Sequence, residues 1–258
     1  MSRTAGQPGR AKSVLRAGLA DWQLSAGSVH VWRLPLTEAL AEEFRPSLSP
    51  DELARADRFV FARDRFRFVA ARGWLRRILA GYLDGVAGEL RFSYGTCGKP
   101  ELASESGRSG VAFNLSHSGD AALIAIACGF AVGVDLEEMR PDIDVDLVAR
   151  SYFSLRECGE LDSLAATDRR SAFYRCWVRK EAYLKGLGVG VSRGLQNFSV
   201  SLRPGQPPAV LEDTLAPDAP GKWFLVDLGT DDRFAAGLAI AGKPLILRCF
   251  GSAPAECF

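Results

Sequence analysis

Large net charge is missing from this 258-residue chain: Lys+Arg total 32 against Asp+Glu 31, a formal balance of +1. No whole-molecule field therefore draws it to nucleic acid or to an anionic membrane. A basic stripe with interleaved aromatics, the mark of a nucleic-acid interface, is missing too. So are closely spaced cysteines. Cys97, Cys128, Cys158, Cys176, Cys249 and Cys257 are scattered, without the spacing of a zinc knuckle or of a disulfide-stapled domain. They read as reduced, mainly structural thiols of a cytoplasmic protein. Met1–Leu19 carries Arg3, Arg10, Lys12 and Arg16 but no continuous apolar stretch, so a secretory signal is not expected. Residues 1–28 read as a flexible N-terminal segment. The longest apolar stretch, Ala121–Val134, is interrupted by Gly129 and Gly133. At that length it suits a buried core segment and not a membrane span.

What is present is ordinary globular composition, 47% hydrophobic and 24% charged, with material for one large domain or two small ones. Val29–Leu34 is β-branched and aromatic, a strand signal. Ser49-Pro50-Asp51-Glu52 opens a helix, with Ser as cap and Pro at the first position. A longer helix over about Arg63–Leu83 follows from Phe68, Leu75, Ile78, Leu79 and Leu83 near helical period, with Arg67, Arg72, Arg76 and Arg77 expected on its surface. Strands are expected at about Leu90–Tyr94, Val111–Asn114 and Ala121–Cys128. The order then repeats: a strand at Phe130–Glu137, a helix at Asp146–Tyr152, a capping box at Ser154 and Glu157, and a long helix over about Asp168–Lys185. Strands near Asn197–Leu202, Trp223–Leu228, Phe234–Ala241 and Leu245–Phe250 complete it. This pattern implies an α+β fold of two similar halves, 29–128 and 129–258.

Four segments can carry chemistry. In Gly133-Val134-Asp135-Leu136-Glu137, residues i and i+2 of a strand share a face, so Asp135 and Glu137 stand side by side. Such acids repel unless protons or a cation intervene, and a hard divalent ion resolves the repulsion. On spacing alone, a solvated strand end before Arg140-Pro141 is the commoner reading. In Phe173–Lys185, Phe173, Trp177, Glu181 and Lys185 recur every four residues on one helix side, and an ordinary Glu181–Lys185 pair explains the last two equally well. Phe113-Asn114-Leu115-Ser116-His117-Ser118 places hydroxyls and an imidazole in a turn that could hold a phosphate. No nucleophile elbow surrounds either serine, which argues against a serine hydrolase. Gly98-Lys99-Pro100 puts a lysine in a proline-stiffened turn. Gly186–Gly190 follows a helix where a dinucleotide fingerprint needs a strand first, so it reads as a helix C-cap and loop.

Together and in this order, the four segments resemble those of the 4′-phosphopantetheinyl transferases of the surfactin-synthetase-activating type, in the variant reading Lys180-Glu181-Ala182. The resemblance spans about Ser49–Val200 and implies that family's fold of two α+β halves related by a pseudo-twofold axis. It implies transfer of 4′-phosphopantetheine from coenzyme A to a serine of an apo acyl or peptidyl carrier protein, with release of 3′,5′-ADP. Asp135, Glu137 and Glu181 would hold Mg²⁺ (Mn²⁺ as alternative), with Glu181 also a candidate base. Lys185 would touch the pyrophosphate. Ser116 and His117 would bind a coenzyme A phosphate, and Lys99 with Pro100 the 3′-phosphate region. Arg55 and Arg67 align more loosely with residues that grip that phosphate. A cytoplasmic monomer acting without nucleic acid or membrane is expected. The competing readings are a coenzyme A pyrophosphatase, which needs only the metal site, and a non-catalytic coenzyme A or carrier-binding module, for which the three acids would be dispensable.

Overall fold

The computed structural model describes residues 23–95, 98–103, 110–190, 193–229 and 232–251. Residues 1–22 of the expected N-terminal segment, with Cys97 and Cys257, lie outside them. Strand β1 (Ser28–Pro35) is followed by α1 (Glu38–Phe44), α2 (Pro50–Ala56) and the 22-residue α3 (Ala62–Leu83). A ribbon of β2 (Phe92–Tyr94) and β3 (Pro100–Leu102) comes next, then β4 (Val111–Ser118) and β5 (Ala121–Cys128). The second half runs β6 (Val132–Glu138), α4 (Val145–Tyr152), α5 (Leu155–Asp162) and the 22-residue α6 (Ala166–Leu187). It continues with the ribbon of β7 (Phe198–Val200) and β8 (Val210–Asp213), then β9 (Trp223–Asp227), β10 (Phe234–Ala241) and β11 (Ile246–Gly251).

Both halves build the same antiparallel arrangement. The first sheet contains the order β1-β5-β4 and the second β6-β10-β9, so in each the opening strand pairs with the last strand of the repeat. One element crosses back: β11 pairs parallel with β1, Ser28 opposite Ile246, and joins the first sheet although a division at residue 129 would give it to the second half. Cys249 on this strand is disulfide-bonded, a departure from the all-thiol expectation, whereas Cys128, Cys158 and Cys176 are free.

The apolar run Ala121–Val134 is explained by coverage on both sides. Ala122, Ile124 and Ile126 of β5 face α3 in one core. Leu123, Ala125 and Ala127 face the other sheet, meeting Val132, Val134 and Leu136 of β6. A strand covered on both faces carries no polar alternation. Among the described residues no helix is long and apolar enough to cross a membrane.

A buried ion clasp orients the long helix of each half. The capping-box acid Glu52, opening α2, accepts from Arg72 Nε and Arg76 Nε of α3, both at 2.6 Å. Its counterpart Glu157 of α5 accepts from Lys180 Nζ of α6 at 2.8 and 2.6 Å. The expectation that Arg72 and Arg76 lie on the surface is thereby corrected: they are 6% and 1% exposed, because a buried carboxylate needs paired charge.

Candidate active site at the junction of the halves

The site grows from glycine. Gly133 of β6 faces α6 so closely that an added Cβ would stand 2.1 Å from the Ala182 carbonyl oxygen and 2.2 Å from Gly186 N. Gly237 on the neighbouring β10, paired with Asp135, admits the helix in the same way, a Cβ there meeting the Val178 oxygen at 2.9 Å. With no side chain between them, sheet and helix bring β6 Asp135 and Glu137 beside α6 Glu181 and Lys185. The α6 helix ends at Gly188 in the left-handed region (φ 74°), the C-cap the sequence suggested.

Asp135 is buried. Its Oδ1 accepts from Lys185 Nζ at 2.6 Å and from Ser116 Oγ at 2.9 Å, while its Oδ2 is buried with no partner among the described residues. Lys185 thus pairs with Asp135, fifty residues away, and not with Glu181 on its own helix. Glu137 accepts from Ser118 Oγ at 3.2 Å. Burial first, and then the charge of Asp135, push its pKa up to about 7. Burial and Asp135 likewise raise Glu181, against the pull of Lys185, and Glu181 Oε1 has no partner among the described residues. The three carboxylates therefore feel one another.

The segment expected to be a turn around His117 is strand: β4 runs through Ser118, paired with Ala121 of β5, and the bend falls at Gly119-Asp120. The strand continues because its ladder with β5 runs on through His117 and Ser118. Ser116 is buried and engaged with Asp135, so its hydroxyl serves the acids. His117 points to the opposite side of the strand. Crowding by protein first, then the positive charges of Lys185, Arg67 and Arg55, depress its pKa. Its charged form is thereby disfavoured, and the positive charge to which an anion would be attracted is supplied by Lys185, Arg67 and Arg55. Arg67 Nε is buried there without a partner among the described residues. Arg55, on α2, lies over the Phe68 ring at 5.3 Å.

Two cavities flank the acids. One of about 300 Å³ is lined by Gly98, Lys99, Pro100, Asn114, Glu181 and Lys185 among others. The other, of about 580 Å³, includes Arg63, Arg67, Glu137, Phe173 and Trp177. Lys99 is placed in the first, but its ammonium is held by the carbonyls of Lys185 at 2.7 Å and Val132 at 3.2 Å. It ties the end of α6 to the start of β6, and burial lowers its pKa.

Two site features escaped sequence reasoning. Asn114 and Ser118 join Ser116 in contacts to β6; the signal was the i, i+2, i+4 spacing of polar residues on one strand face. Lys180 was read only as part of a motif, and its buried clasp to Glu157 had no sequence signature beyond the capping box.

Comparison with known proteins adds the family. A family model described as the 4′-phosphopantetheinyl transferase superfamily matches residues 131–239, and one for the 4′-phosphopantetheinyl transferase N-terminal region matches residues 34–129. The chain belongs to the 4′-phosphopantetheinyl transferase superfamily. It is 41% identical over 221 residues to 4′-phosphopantetheinyl transferase HetI of a Nostoc species, covering 85% of this chain and 90% of that one. Identity to 4′-phosphopantetheinyl transferase psf-1 of Bacillus pumilus is 33%, over 68% of this chain and 73% of that one. For 4′-phosphopantetheinyl transferase Sfp of Bacillus subtilis it is 29%, over 71% and 80% respectively. Members of this superfamily are enzymes, and the sequence resemblance and the fold class agree with the match.

Among the described residues no group of three or more acidic, histidine or cysteine side chains is arranged to hold an ion as it stands, and Lys185 lies where positive charge is wanted. The donor set nonetheless fits a hard cation: every available atom is a carboxylate oxygen, and the buried Asp135 Oδ2 and Glu181 Oε1 are unsatisfied. Oxygen-only donors select Mg²⁺ or Mn²⁺ over zinc or copper.

Proposed function

We propose that the chain transfers 4′-phosphopantetheine from coenzyme A to the serine hydroxyl of an apo acyl or peptidyl carrier protein, with Mg²⁺ held by Asp135, Glu137 and Glu181. The observation that carries this is the close α6–β6 contact that sets Glu181 and Lys185 beside Asp135 and Glu137, with Lys185 Nζ 2.6 Å from Asp135 Oδ1 and with Asp135 Oδ2 and Glu181 Oε1 unsatisfied among the described residues. His117, Arg67 and Arg55 bind coenzyme A phosphates. Lys185 leaves Asp135 for the pyrophosphate, where an ammonium stabilises accumulating negative charge. A bound Mg²⁺ supplies neutralisation of the diphosphate and of the departing 3′,5′-ADP. Glu181, its pKa raised, is suited to take the carrier serine proton as the new serine O–P bond forms and the old P–O bond to 3′,5′-ADP breaks. Lys99 and Pro100 line the cavity beside Lys185 and flank the 3′-phosphate region of coenzyme A, with the Lys99 ammonium bracing the Lys185 and Val132 carbonyls.

The carrier docks near α4 and α5, where Leu147, Tyr152 and Leu155 are exposed. A single chain provides every group named, which supports a monomer, and the coenzyme A substrate supports a cytoplasmic setting. A twofold relation between the halves is supported by their matching strand orders.

Incubation with coenzyme A and Mg²⁺, with and without apo carrier, tests the reading by carrier mass and released nucleotide. Modified carrier is expected from the native chain, and none from Asp135→Ala or Glu181→Ala at unchanged circular dichroism. Near-normal transfer by either variant overturns the metal assignment. Release of 4′-phosphopantetheine without carrier would identify a pyrophosphatase instead.

A further inference from the structure

Strands β4 and β6 each lie at the edge of their sheet, and an edge strand presents backbone N–H groups that need partners. Those of β6 are met by side chains of β4. Val134 N donates to Asn114 Oδ1 at 2.8 Å, Leu136 N to Ser116 Oγ at 3.3 Å, and Glu138 N to Ser118 Oγ at 3.0 Å. Both strands contribute at i, i+2 and i+4, so one face of β4 offers acceptors in register, in place of a neighbouring strand's carbonyls. The Ser118 hydroxyl is used twice and the Ser116 hydroxyl three times, since Ser116 Oγ also accepts from Lys185 Nζ at 2.9 Å. Ser116 donates onward to the Asp135 carboxylate at 2.9 Å and Ser118 to that of Glu137 at 3.2 Å, which a hydroxyl can do while accepting an N–H.

Each serine therefore fixes, from the other half of the molecule, both where β6 runs and where the adjacent carboxylate points. We propose that Asn114 and Ser118 are positioning residues for the metal site: this side-chain ladder across the junction sets the spacing of the β6 carboxylates before any ion arrives. The inference rests on the metal reading above and goes beyond it by assigning the preorganisation to the opposite half. Partners that orient metal ligands typically contribute ten- to a hundredfold in metal affinity.

The test is Mn²⁺ binding to the full chain in the presence of coenzyme A, followed by electron paramagnetic resonance, with folding monitored by circular dichroism. Ser118→Ala is expected to weaken Mn²⁺ about tenfold, and Ser118→Thr, which keeps the hydroxyl and suits a strand, to bind as the native chain does. Asn114→Leu, which removes the acceptor for Val134 N, is expected to weaken Mn²⁺ with and without coenzyme A although Asn114 touches no carboxylate, and native-like affinity in it counts against the ladder. In turnover, the Mg²⁺ needed for half-maximal rate should rise in Ser118→Ala more than the rate at saturating Mg²⁺ falls. Native-like Mn²⁺ affinity in Ser118→Ala, or equal loss in the Ala and Thr variants, overturns the ladder and leaves the metal site standing. Absence of Mn²⁺ binding by the native chain removes the metal site and this inference with it.

Discussion

Lys185 Nζ lies 2.6 Å from Asp135 Oδ1, so a helix lysine neutralises the strand carboxylate that has the strongest claim to a cation. Asp135 is buried and Lys185 only partly so. Removing the lysine leaves an uncompensated buried charge. Lys185→Met is therefore expected to lower the stability of the metal-free protein by ~1–3 kcal/mol, with Mg²⁺ restoring part of the loss. Urea unfolding with and without Mg²⁺ checks this; equal midpoints for variant and native chain without metal would contradict it.

Gly133→Ala tests the close approach of sheet and helix. Its new methyl group would lie 2.1 Å from the Ala182 carbonyl oxygen, which is backbone and yields only if α6 moves. Overpacking of this kind costs ~1–3 kcal/mol or more. Because the displacement separates Glu181 from Asp135, transfer should fall further than the stability loss explains. Melting temperature and turnover measured on one preparation decide the matter.

A pH dependence follows from Glu137. Its pKa stands near 7 in the folded chain against an ordinary 4.5, so the folded state holds this proton more tightly than the unfolded one. The resulting stabilisation is complete below pH 4.5 and is lost as pH rises through about 7. Mg²⁺ competes with the same proton. The thermal shift produced by Mg²⁺ should therefore be larger at pH 8 than at pH 6, as scanning calorimetry can show; a constant shift would mean that Glu137 does not meet the ion.

Lys180 should prove structural although it stands next to Glu181. It is fully buried, with its ammonium on Glu157 and on the Phe198 carbonyl at 2.5 Å. Breaking such a buried pair from one side costs ~3–5 kcal/mol, whereas replacing both partners by apolar groups costs far less. Lys180→Met is expected to unfold at much lower urea, and the double variant Lys180→Met, Glu157→Met to recover only part of the loss, because Glu157 also accepts from the buried Ser154 N and Val200 N. A single variant as stable as the native chain would refute the clasp.

Much of the fold was legible residue by residue. The helix over Arg63–Leu83 is α3 at Ala62–Leu83, and the strand at Phe234–Ala241 is β10 with the same ends, because period and caps are local properties. The short α1, β3 and β8 were missed, being too brief for a period to register. The turn expected around His117 is strand because β4 stays paired with β5 through Ser118, a long-range pairing, while Asn114, Ser116 and Ser118 accept from N–H groups of β6.

The sequence by itself determined which residue types were available: the acids of Gly133–Glu137, the Lys-Glu-Ala helix, and the glycines and caps that end and open the elements. Their order along the chain was enough to indicate the family. Only the tertiary structure decided which charges pair, because pairing depends on burial and on contacts between distant segments. It turned Lys185 toward Asp135, tied Lys99 to backbone carbonyls, and sent β11 back to β1. A buried charge must find its partner wherever packing brings one, and packing is a property of the whole chain.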